Sequence, residues 1–510
     1  MNPDAVDITS RTRRDVLRGA AAVLAFSPLS DSVASTDPAE VFALGVASGY
    51  PRPDSVVLWT RVIAPSGAVS LPVHWELAAD EGFRTIVARG TEQANADDAF
   101  SVHAEPSGLD PARTYWYRFE ALGVRSPVGS TRTAPAPTSS ATLRLAIASC
   151  QRFDTGHYAA WARIADQPID LVVFLGDYIY EYPTRVNAIR PVGPQVVTLD
   201  DYRARYAVHR SDRSLRAAHA SHPWLVIWDD HEVDNDYATL TGQTLQPDFE
   251  RIRADAYKAW WEHMPVPKAW RPKGGTLRIY DRLDWGRLAR IHLLDTRQYR
   301  DLQACPRPGR GGSNSVTLAE CPEILSPTRT MLGAEQERWF ARGLDPDRPW
   351  NLIAQSTLMA RAASGPPGLE RHWTDGWDGY PAARRRLLEA ISGHKITGPL
   401  VLGGDVHTHV AADLRLDFDN PDSPVIASEL CCTSISSLGP PQSRVDASRA
   451  ANPHIRYARS DRRGHIELTI DRSHTQADLV VVDEPNDPLS ACRIDARFVV
   501  SADQPGVRTA

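Results

Sequence analysis

Residues suited to metal chemistry stand where four apolar stretches of this sequence end. The stretches 143–149, 169–176, 224–228 and 400–404 are followed by a thiol, a phenol, carboxylates or an imidazole. The side chains concerned are Cys150, Asp177, Tyr180, Asp230, Asp405 and His407. Short apolar runs predict buried strands, and open α/β sheets place their chemistry beyond the carboxyl ends of strands. We therefore expect these donors to meet in a multinuclear metal site.

Each of these residues also has a purely structural interpretation. A single buried cysteine such as Cys150 is more often a small apolar residue than a ligand, although its position at a strand end favours a ligand. Tyr178 and Tyr180 are both candidates for aromatic core residues. Asp229 and Asp230 are adjacent, so in an extended segment their side chains point in opposite directions.

The composition is that of an ordinary globular protein. The 510 residues are 42% hydrophobic and 24% charged, and this length corresponds to two to four domains at ~150 residues each. The formal net charge of -6 gives no indication of a nucleic acid partner. An anionic substrate must therefore be met by local cations.

The first 34 residues resemble an export signal. Arg13 and Arg14 precede the short apolar run 19–26, and small residues follow at 32–34. The paired arginines resemble a twin-arginine signal, which predicts the twin-arginine export machinery as a partner and a periplasmic or secreted protein. The alternative is a frayed basic N-terminus. The run is shorter than the ~20 residues needed to span a bilayer, so we expect no stable membrane insertion.

Residues 41–133 predict a small fibronectin III-like β-sandwich. The segments 55–61, 73–77 and 114–121 alternate with a period of two, which is typical of half-buried strands in such a sandwich. A structural partner for the rest of the chain is the expected role. A carbohydrate-binding or wall-binding module is the alternative.

The remaining chain predicts a mixed α/β domain. Residues 134–141 read as a linker rich in proline and small residues, and 503–510 as a tail. Between them, residues 142–502 alternate apolar strands with helical spacing and return to strand character after residue 464. This order predicts a four-layer α/β/β/α sandwich of two sheets covered by helices.

Two of the six cysteines bracket a loop. The cysteines are Cys150, Cys305, Cys321, Cys431, Cys432 and Cys492. A bridge between Cys305 and Cys321 would stabilise an exported chain by about 3 kcal/mol, less any strain. Sequence does not determine the pairing.

Six short segments, in order, resemble the PhoD-type alkaline phosphatase/phosphodiesterases, a branch of the calcineurin-like metallophosphoesterases. The segments are 149–151, 176–181, 228–235, 294–300, 377–381 and 404–407. The resemblance covers essentially the whole chain after the signal and includes an N-terminal β domain of the kind that this family carries.

The resemblance implies an Fe(III) ion with Ca(II) beside it. Carried over, Cys150, Asp177 and Tyr180 hold the iron, which suits electron-rich thiolate and phenolate donors. The set that completes the cluster is Asp177, Asp230, Asp405 and His407, and Asp177 is able to bridge metals. Carboxylate oxygens are what Ca(II) requires, and ligand type is the main guide to metal identity.

The resemblance also gives roles to nearby side chains. His231 becomes a substrate-contacting acid. For Arg297 the residue type itself leaves two roles open, a structural one or a fork onto phosphate oxygens. Asp229 falls outside the ligand set. His409 is a candidate for a residue that contacts and orients the ligands without binding the metal itself. Other residues either wall the pocket or act in it: Trp377, Asp378 and Tyr380.

The sequence thus predicts an exported phosphoesterase that releases phosphate from monoesters, diesters or both by metal-activated hydroxide attack. No Gly-x-Ser-x-Gly motif for a serine nucleophile is present. The alternative within the family is a phospholipase D-type phosphodiesterase. The alternative from another class is a noncatalytic cell-wall-binding protein with a degenerate site.

Overall fold

The computed structural model describes residues 37–366 and 368–510. The export signal predicted for residues 1–34 lies outside this range and stays a prediction. The N-terminal part contains α1 (Pro38–Val41), β1 (Val46–Gly49), β2 (Val57–Arg61), β3 (Ser70–Ala78), β4 (Ile86–Asn95), β5 (Ser101–Ala104), β6 (Thr114–Ala121), β7 (Val124–Arg125) and β8 (Gly129–Arg132).

The next group of elements contains the strands of the first sheet that end near the predicted ligands, together with the helices of this part of the chain. They are β9 (Leu143–Ala148), α2 (Ala159–Asp166), β10 (Leu171–Phe174), α3 (Leu199–Arg210), α4 (Arg213–Ser221), β11 (Pro223–Val226) and α5 (Phe249–His263).

The remaining elements build the second sheet and a two-stranded sheet of β14 and β16, and then return to the first sheet. They are β12 (Asp281–Trp285), β13 (Ala289–Leu293), β14 (Ser315–Val316), α6 (Gly333–Gly343), β15 (Trp350–Ala354), β16 (His372–Trp373), α7 (Pro381–Gly393), β17 (Pro399–Gly403), β18 (His409–Arg415), β19 (Val425–Cys431), α8 (Gln442–Ala451), β20 (Ile455–Arg459), β21 (Gly464–Ile470), β22 (His474–Val482), β23 (Cys492–Ser501) and β24 (Arg508–Thr509).

Two large sheets carry the site. The first has ten strands in the order β24-β23-β22-β21-β9-β10-β11-β1-β2-β5, and β9, β10, β11 and β1 are parallel. The second has seven strands in the order β12-β13-β15-β17-β19-β18-β20, and β13, β15, β17 and β19 are parallel. Parallel strands present their carboxyl ends at one edge, which is where the predicted donors stand.

Alternation along the strands explains the layers. In β17, Leu400 and Leu402 belong to the core between the sheets, whereas Val401 packs with residues of α6 and α7 such as Phe340 and Leu387. Strand side chains alternate between faces, so a continuously apolar strand is buried on both sides. The predicted arrangement of two sheets covered by helices is thereby confirmed.

The N-terminal β-sandwich is present but is not separate from the large sheets. One of its sheets is built from β4, β3, β6 and β7, with β8 also paired to β6. The facing strands β1, β2 and β5 are continuous with the ten-stranded sheet, because Ser48 of β1 pairs in parallel with Pro223 of β11. The sandwich therefore buttresses the strand that leads to Asp230.

The helices follow the apolar spacing of the sequence. In α5, Ile252, Ala256, Ala259, Trp260 and His263 are buried at intervals of three or four residues, which is the core-facing stripe of a helix. Among the described residues, the helices are too short or too polar to cross a membrane.

Candidate metal centre

The four strand ends predicted to carry ligands converge. The ends of β9, β10 and β11 lie side by side in the first sheet, and the end of β17 approaches from the second. One ligand atom from each of Cys150, Asp177 and His407 lies within 4.8 Å of the others. The same holds for Asp177, Asp230 and His231. Asp177 is common to both groups, so this carboxylate lies between the two sets of donors.

The backbone at these strand ends is strained in a consistent way. Cys150, Asp177, Asp405 and His407 have φ values of 59°, 59°, 64° and 49°. Residues other than glycine rarely adopt this left-handed conformation, and it costs on the order of 1–3 kcal/mol for each residue. Such strain collects at functional sites, where the surrounding structure holds it in place. Four of the six predicted ligands share it.

Tyr180 lies at the centre of a hydrogen-bond network. Its hydroxyl donates to Asp177 Oδ2 at 2.8 Å and lies 3.1 Å from His407 Nε2. Ser437 Oγ lies 2.8 Å from that hydroxyl and also donates to the Cys150 carbonyl at 2.8 Å. Ser437 therefore fixes the phenol and the thiol-bearing residue relative to each other.

His407 and Asp405 are each oriented by a hydrogen bond to a neighbouring group. His407 Nδ1 donates to the Leu438 carbonyl at 2.7 Å, which leaves Nε2 facing Tyr180. Metal-binding histidines are oriented by this kind of bond. Thr357 Oγ1 donates to Asp405 Oδ2 at 2.6 Å. Burial lowers the pKa of His407 to about 3, so its imidazole is neutral and able to bind a cation.

Two carboxylate oxygens in the cluster lack a hydrogen-bond partner among the described residues. They are Asp177 Oδ1 and Asp230 Oδ1, both buried. A buried polar atom without a partner is costly. Burial also raises the pKa of Asp177, of the Cys150 thiol and of the Tyr180 phenol, and the Asp177 charge adds to the effect on the other two. A bound cation would supply the missing partner and the compensating charge.

His231 is held by Glu181. Its Nδ1 lies 2.7 Å from Glu181 Oε2, and its ring lies 4.1 Å, centroid to centroid, from that of Tyr180. Burial opposes the charged imidazole, but Glu181, Asp230 and Asp177 together raise the pKa of His231 well above its ordinary value. Because Glu181 holds Nδ1, Nε2 is the ring nitrogen that is not engaged by this carboxylate.

Arg297 is enclosed rather than open to the site. Its guanidinium donates to Asp229 at 2.6 Å and 3.1 Å and to Asp375 at 2.9 Å, and only 1% of its side chain is exposed. Its Nη2 lies 3.5 Å from Asp230 Oδ1. Against the effect of burial, Arg297 and His231 keep the pKa of Asp230 below its usual value. Asp230 is therefore ionised.

Several predicted neighbours have structural partners instead of facing the cluster. His409 is buried with both ring nitrogens near backbone groups, those of Thr433 and Val480. Asp378 binds Arg384 at 2.7 Å. The tyrosine at 178 bonds to His219 at 3.0 Å, on the core side.

The Cys305 and Cys321 sulfurs form a disulfide, which settles the pairing that the sequence left open.

The loop that this disulfide closes lies against the acidic residues behind the cluster. Ser313 Oγ donates to Asp236 Oδ2 at 2.6 Å. Oxygens of Asp236, Asp230 and Asp375 lie within 4.8 Å of one another.

Four residues of the site were not in the predicted set: Glu181, Glu232, Asp375 and Ser437. Glu181 follows Tyr180 directly, Glu232 lies two residues after Asp230, and Ser437 lies six residues after the end of β19, so a strand end precedes three of them in the sequence. Asp375 follows no strand of the large sheets and had no such signal.

Two cavities adjoin the cluster. One of about 410 Å³ is lined by Asp405, His407 and mostly apolar side chains. The other, of about 930 Å³, lies on the Glu181 side and is lined by Arg152, Arg185 and Arg310 among others. The first cavity reaches two predicted ligands directly, whereas the second reaches Glu181, the carboxylate that holds His231.

Comparison with known proteins identifies the family of this chain. The family model described as PhoD-like phosphatase matches residues 145–479, and the PhoD-like phosphatase N-terminal domain matches residues 28–135. Alkaline phosphatase D of Bacillus subtilis (strain 168) is 40% identical over 488 residues, which cover 92% of this chain and 82% of that protein.

Solved structures give the same result. A structure described as PhoD is 39% identical, covers 92% of each chain and superposes with a TM-score of 0.86. Purple acid phosphatase PPD1 from yellow lupin seeds is 12% identical, covers 89% of this chain and 74% of that one, and has a TM-score of 0.56, which shows a shared fold alone. The predicted resemblance is confirmed: this chain belongs to the PhoD-like phosphatase family and is a phosphatase.

Proposed function

We propose that this protein hydrolyses phosphate monoesters and diesters with Fe(III) and Ca(II) bound at the converging strand ends. The observation that carries the proposal is Asp177, which belongs to both groups of closely spaced donors and has a buried oxygen without a hydrogen-bond partner among the described residues. A carboxylate in this position suits a bridge between two cations.

The residues present fit these metals. Cys150, Asp177 and Tyr180 supply the thiolate, carboxylate and phenolate suited to Fe(III), and Asp230, Asp405 and His407 supply further oxygen and nitrogen donors. Hard carboxylate oxygens suit Ca(II). When bound, the cations would neutralise phosphate oxygens and lower the pKa of a water molecule.

His231 supports proton transfer in this proposal. Glu181 fixes the ring through Nδ1 and favours its charged form, so Nε2 is set to donate a proton to the departing alkoxide. A donor held in place by a buried carboxylate needs no reorientation during the reaction.

Arg297 acts as a positioning residue. It is buried and donates hydrogen bonds to Asp229 and Asp375, so it shapes the acidic wall beside Asp230 rather than binding the phosphate. This arrangement favours holding Asp230 ionised and correctly oriented for a cation.

We further propose that the protein is exported by the twin-arginine pathway and releases phosphate from organic esters outside the cytoplasm. Arg13 and Arg14 ahead of the apolar run 19–26 support this proposal. A folded protein is the cargo of that pathway, which suits a chain that acquires metals before export.

The test compares Cys150→Ala with a matched control, Cys492→Ala, which changes a partly buried cysteine outside the cluster. Hydrolysis of p-nitrophenyl phosphate and bis(p-nitrophenyl) phosphate is measured with Fe and Ca supplied. The kcat/KM of Cys150→Ala should fall by more than about a hundredfold. This substitution removes a metal ligand, which costs more than removing a residue that only orients a ligand. Equal rates for both variants would refute the proposed centre.

A further inference from the structure

The cavity of about 410 Å³ beside Asp405 and His407 has apolar walls. The side chains that form them are Leu358, Trp373, Val406, Val410, Val445 and Ile455. Leu358, Val410 and Ile455 are almost fully buried, and the other three are half-buried. Ligand pockets are of this kind, apolar with a few polar groups at one end.

The cavity is continuous with the metal centre. Asp405 and His407 belong both to its lining and to the predicted ligand set. A phosphorus atom at the cluster would therefore hold one of its substituents within this space.

The outer wall of the cavity is fixed in place. Helix α8 carries Val445, and it is tied to the segment near residue 362 by two hydrogen bonds. Ser448 Oγ donates to the Ala362 carbonyl at 3.2 Å, and Asn452 Nδ2 donates to the Ala363 carbonyl at 2.8 Å. The space is thus preformed, so a ligand need not bear the cost of ordering the wall.

Arginines stand among the lining residues as well. Arg371 pairs with Glu320 at 3.3 Å, whereas the Arg444 side chain has no ion pair or hydrogen bond within the part of the chain that the structure describes. The apolar residues favour an uncharged apolar substituent, whereas the arginines favour an anionic one. Substrates that differ in this charge distinguish the two preferences.

We propose that this cavity is a subsite for an apolar alkyl or aryl substituent of a phosphodiester substrate. The inference rests on the proposed phosphoesterase function and adds to it a preference for one chemical class of ester. The apolar walls meet the substituent, while the phosphate stays at Asp405 and His407.

Three diesters that share one leaving group provide the test: the p-nitrophenyl diesters of phosphate with methyl, octyl and 7-carboxyheptyl groups. For the wild-type protein with metals supplied, kcat/KM should be at least about tenfold higher for the octyl than for the methyl ester, which corresponds to burying only about two methylene groups. The 7-carboxyheptyl ester has the same length and should not exceed the octyl ester.

The variant Val445→Asp places a charge in the wall, and the octyl-to-methyl ratio should fall towards one. The milder Val445→Ser guards against misfolding and should lower the ratio partway. Ala447→Asp is the control, since it places the same charge on an exposed position of α8 outside the cavity, and its ratio should equal that of the wild type.

A wild-type octyl-to-methyl ratio near one would overturn the subsite while leaving hydrolysis of the methyl ester, and hence the proposed function, intact. A 7-carboxyheptyl ester that outperforms the octyl ester would also overturn it, because the arginines would then decide the preference. Failure to hydrolyse all three esters and p-nitrophenyl phosphate would refute the proposed function itself.

Discussion

Glu232 Oε2 accepts the backbone N–H of Asp177 at 3.1 Å, although the two residues are 55 positions apart. The same carboxylate accepts from Tyr178 N at 2.6 Å and from Asp229 N at 2.8 Å. One buried side chain thus ties the end of β10 to the end of β11. Burial raises its pKa to about 7, against the effect of the backbone N–H groups.

Glu232→Gln should weaken the metal centre, because an amide NH₂ would then face at least one backbone N–H. We expect metal affinity to fall about 10–100-fold, measured by competition with a chelator. Glu484→Gln, at an exposed position, is the control. Unchanged affinity in Glu232→Gln would show that the tie between the strands has no role in metal binding.

Gly176→Ala should push the same two strand ends apart. A Cβ at Gly176 would lie 2.6 Å from Asp229 Cβ and 2.6 Å from Asp229 N, and the φ of 106° already disfavours alanine. Gly193 has a similar φ of 89° but open space around its Cβ position. Gly193→Ala should cost about 1–2 kcal/mol of unfolding free energy, and Gly176→Ala about 1–3 kcal/mol more. Equal losses in urea unfolding would exclude the close approach as the cause.

Arg297→Met should destabilise the protein by about 3–5 kcal/mol, because Asp229 would be left buried without its cation and Asp375 would keep only its ion pair with Arg300. Arg497→Met removes a partly exposed ion pair with Asp478 and should cost about 0–1 kcal/mol. Thermal and urea unfolding measure both. If Arg297→Met kept its stability and lost only kcat, Arg297 would act on the phosphate directly.

The elements of the site were predictable where the signal is local. An apolar run that ends at Asp177 or Asp405 predicts both the buried strand and the metal donor. Neighbouring residues in the sequence are enough for this prediction. The Ser437–Tyr180 contact joins residues 257 positions apart, and no periodicity within either segment specifies it.

The continuity of the N-terminal sandwich with the large sheet was not predictable for a related reason. Strand β1 is buried along its whole length and has no alternating pattern, so the sequence indicates neither this strand nor its partner. The parallel pairing of Ser48 with Pro223 depends on how two distant segments pack. Likewise, the residue type of Arg297 is compatible with a structural role or with phosphate binding, and its hydrogen bonds to Asp229 and Asp375 depend on segments distant in the sequence.

Glu467 gives the fold a defined pH dependence. Against the effect of burial, hydrogen bonds from His465 and Arg163 lower its pKa to about 2, from an ordinary 4.5. The folded state therefore favours the ionised form, so this stability is present above pH 4.5 and is lost as the pH falls towards 2. After allowance for its partial exposure, the contribution is about 2 kcal/mol.

Urea unfolding of wild type and Glu467→Gln between pH 7 and pH 3 measures this contribution. The difference in unfolding free energy should be constant above pH 5 and should narrow below pH 4.5. A difference that does not change over this range would contradict the linkage.

The metal content and visible spectrum of protein purified without added metal test the central claim most directly. The wild type should contain iron and be coloured, because phenolate and thiolate donors bind Fe(III). Tyr180→Phe should lose or shift the visible band, whereas Tyr182→Phe, a half-buried phenol beside the cluster, should keep it. Iron-free protein, or a band that Tyr180→Phe and Cys150→Ala leave unchanged, would contradict the account.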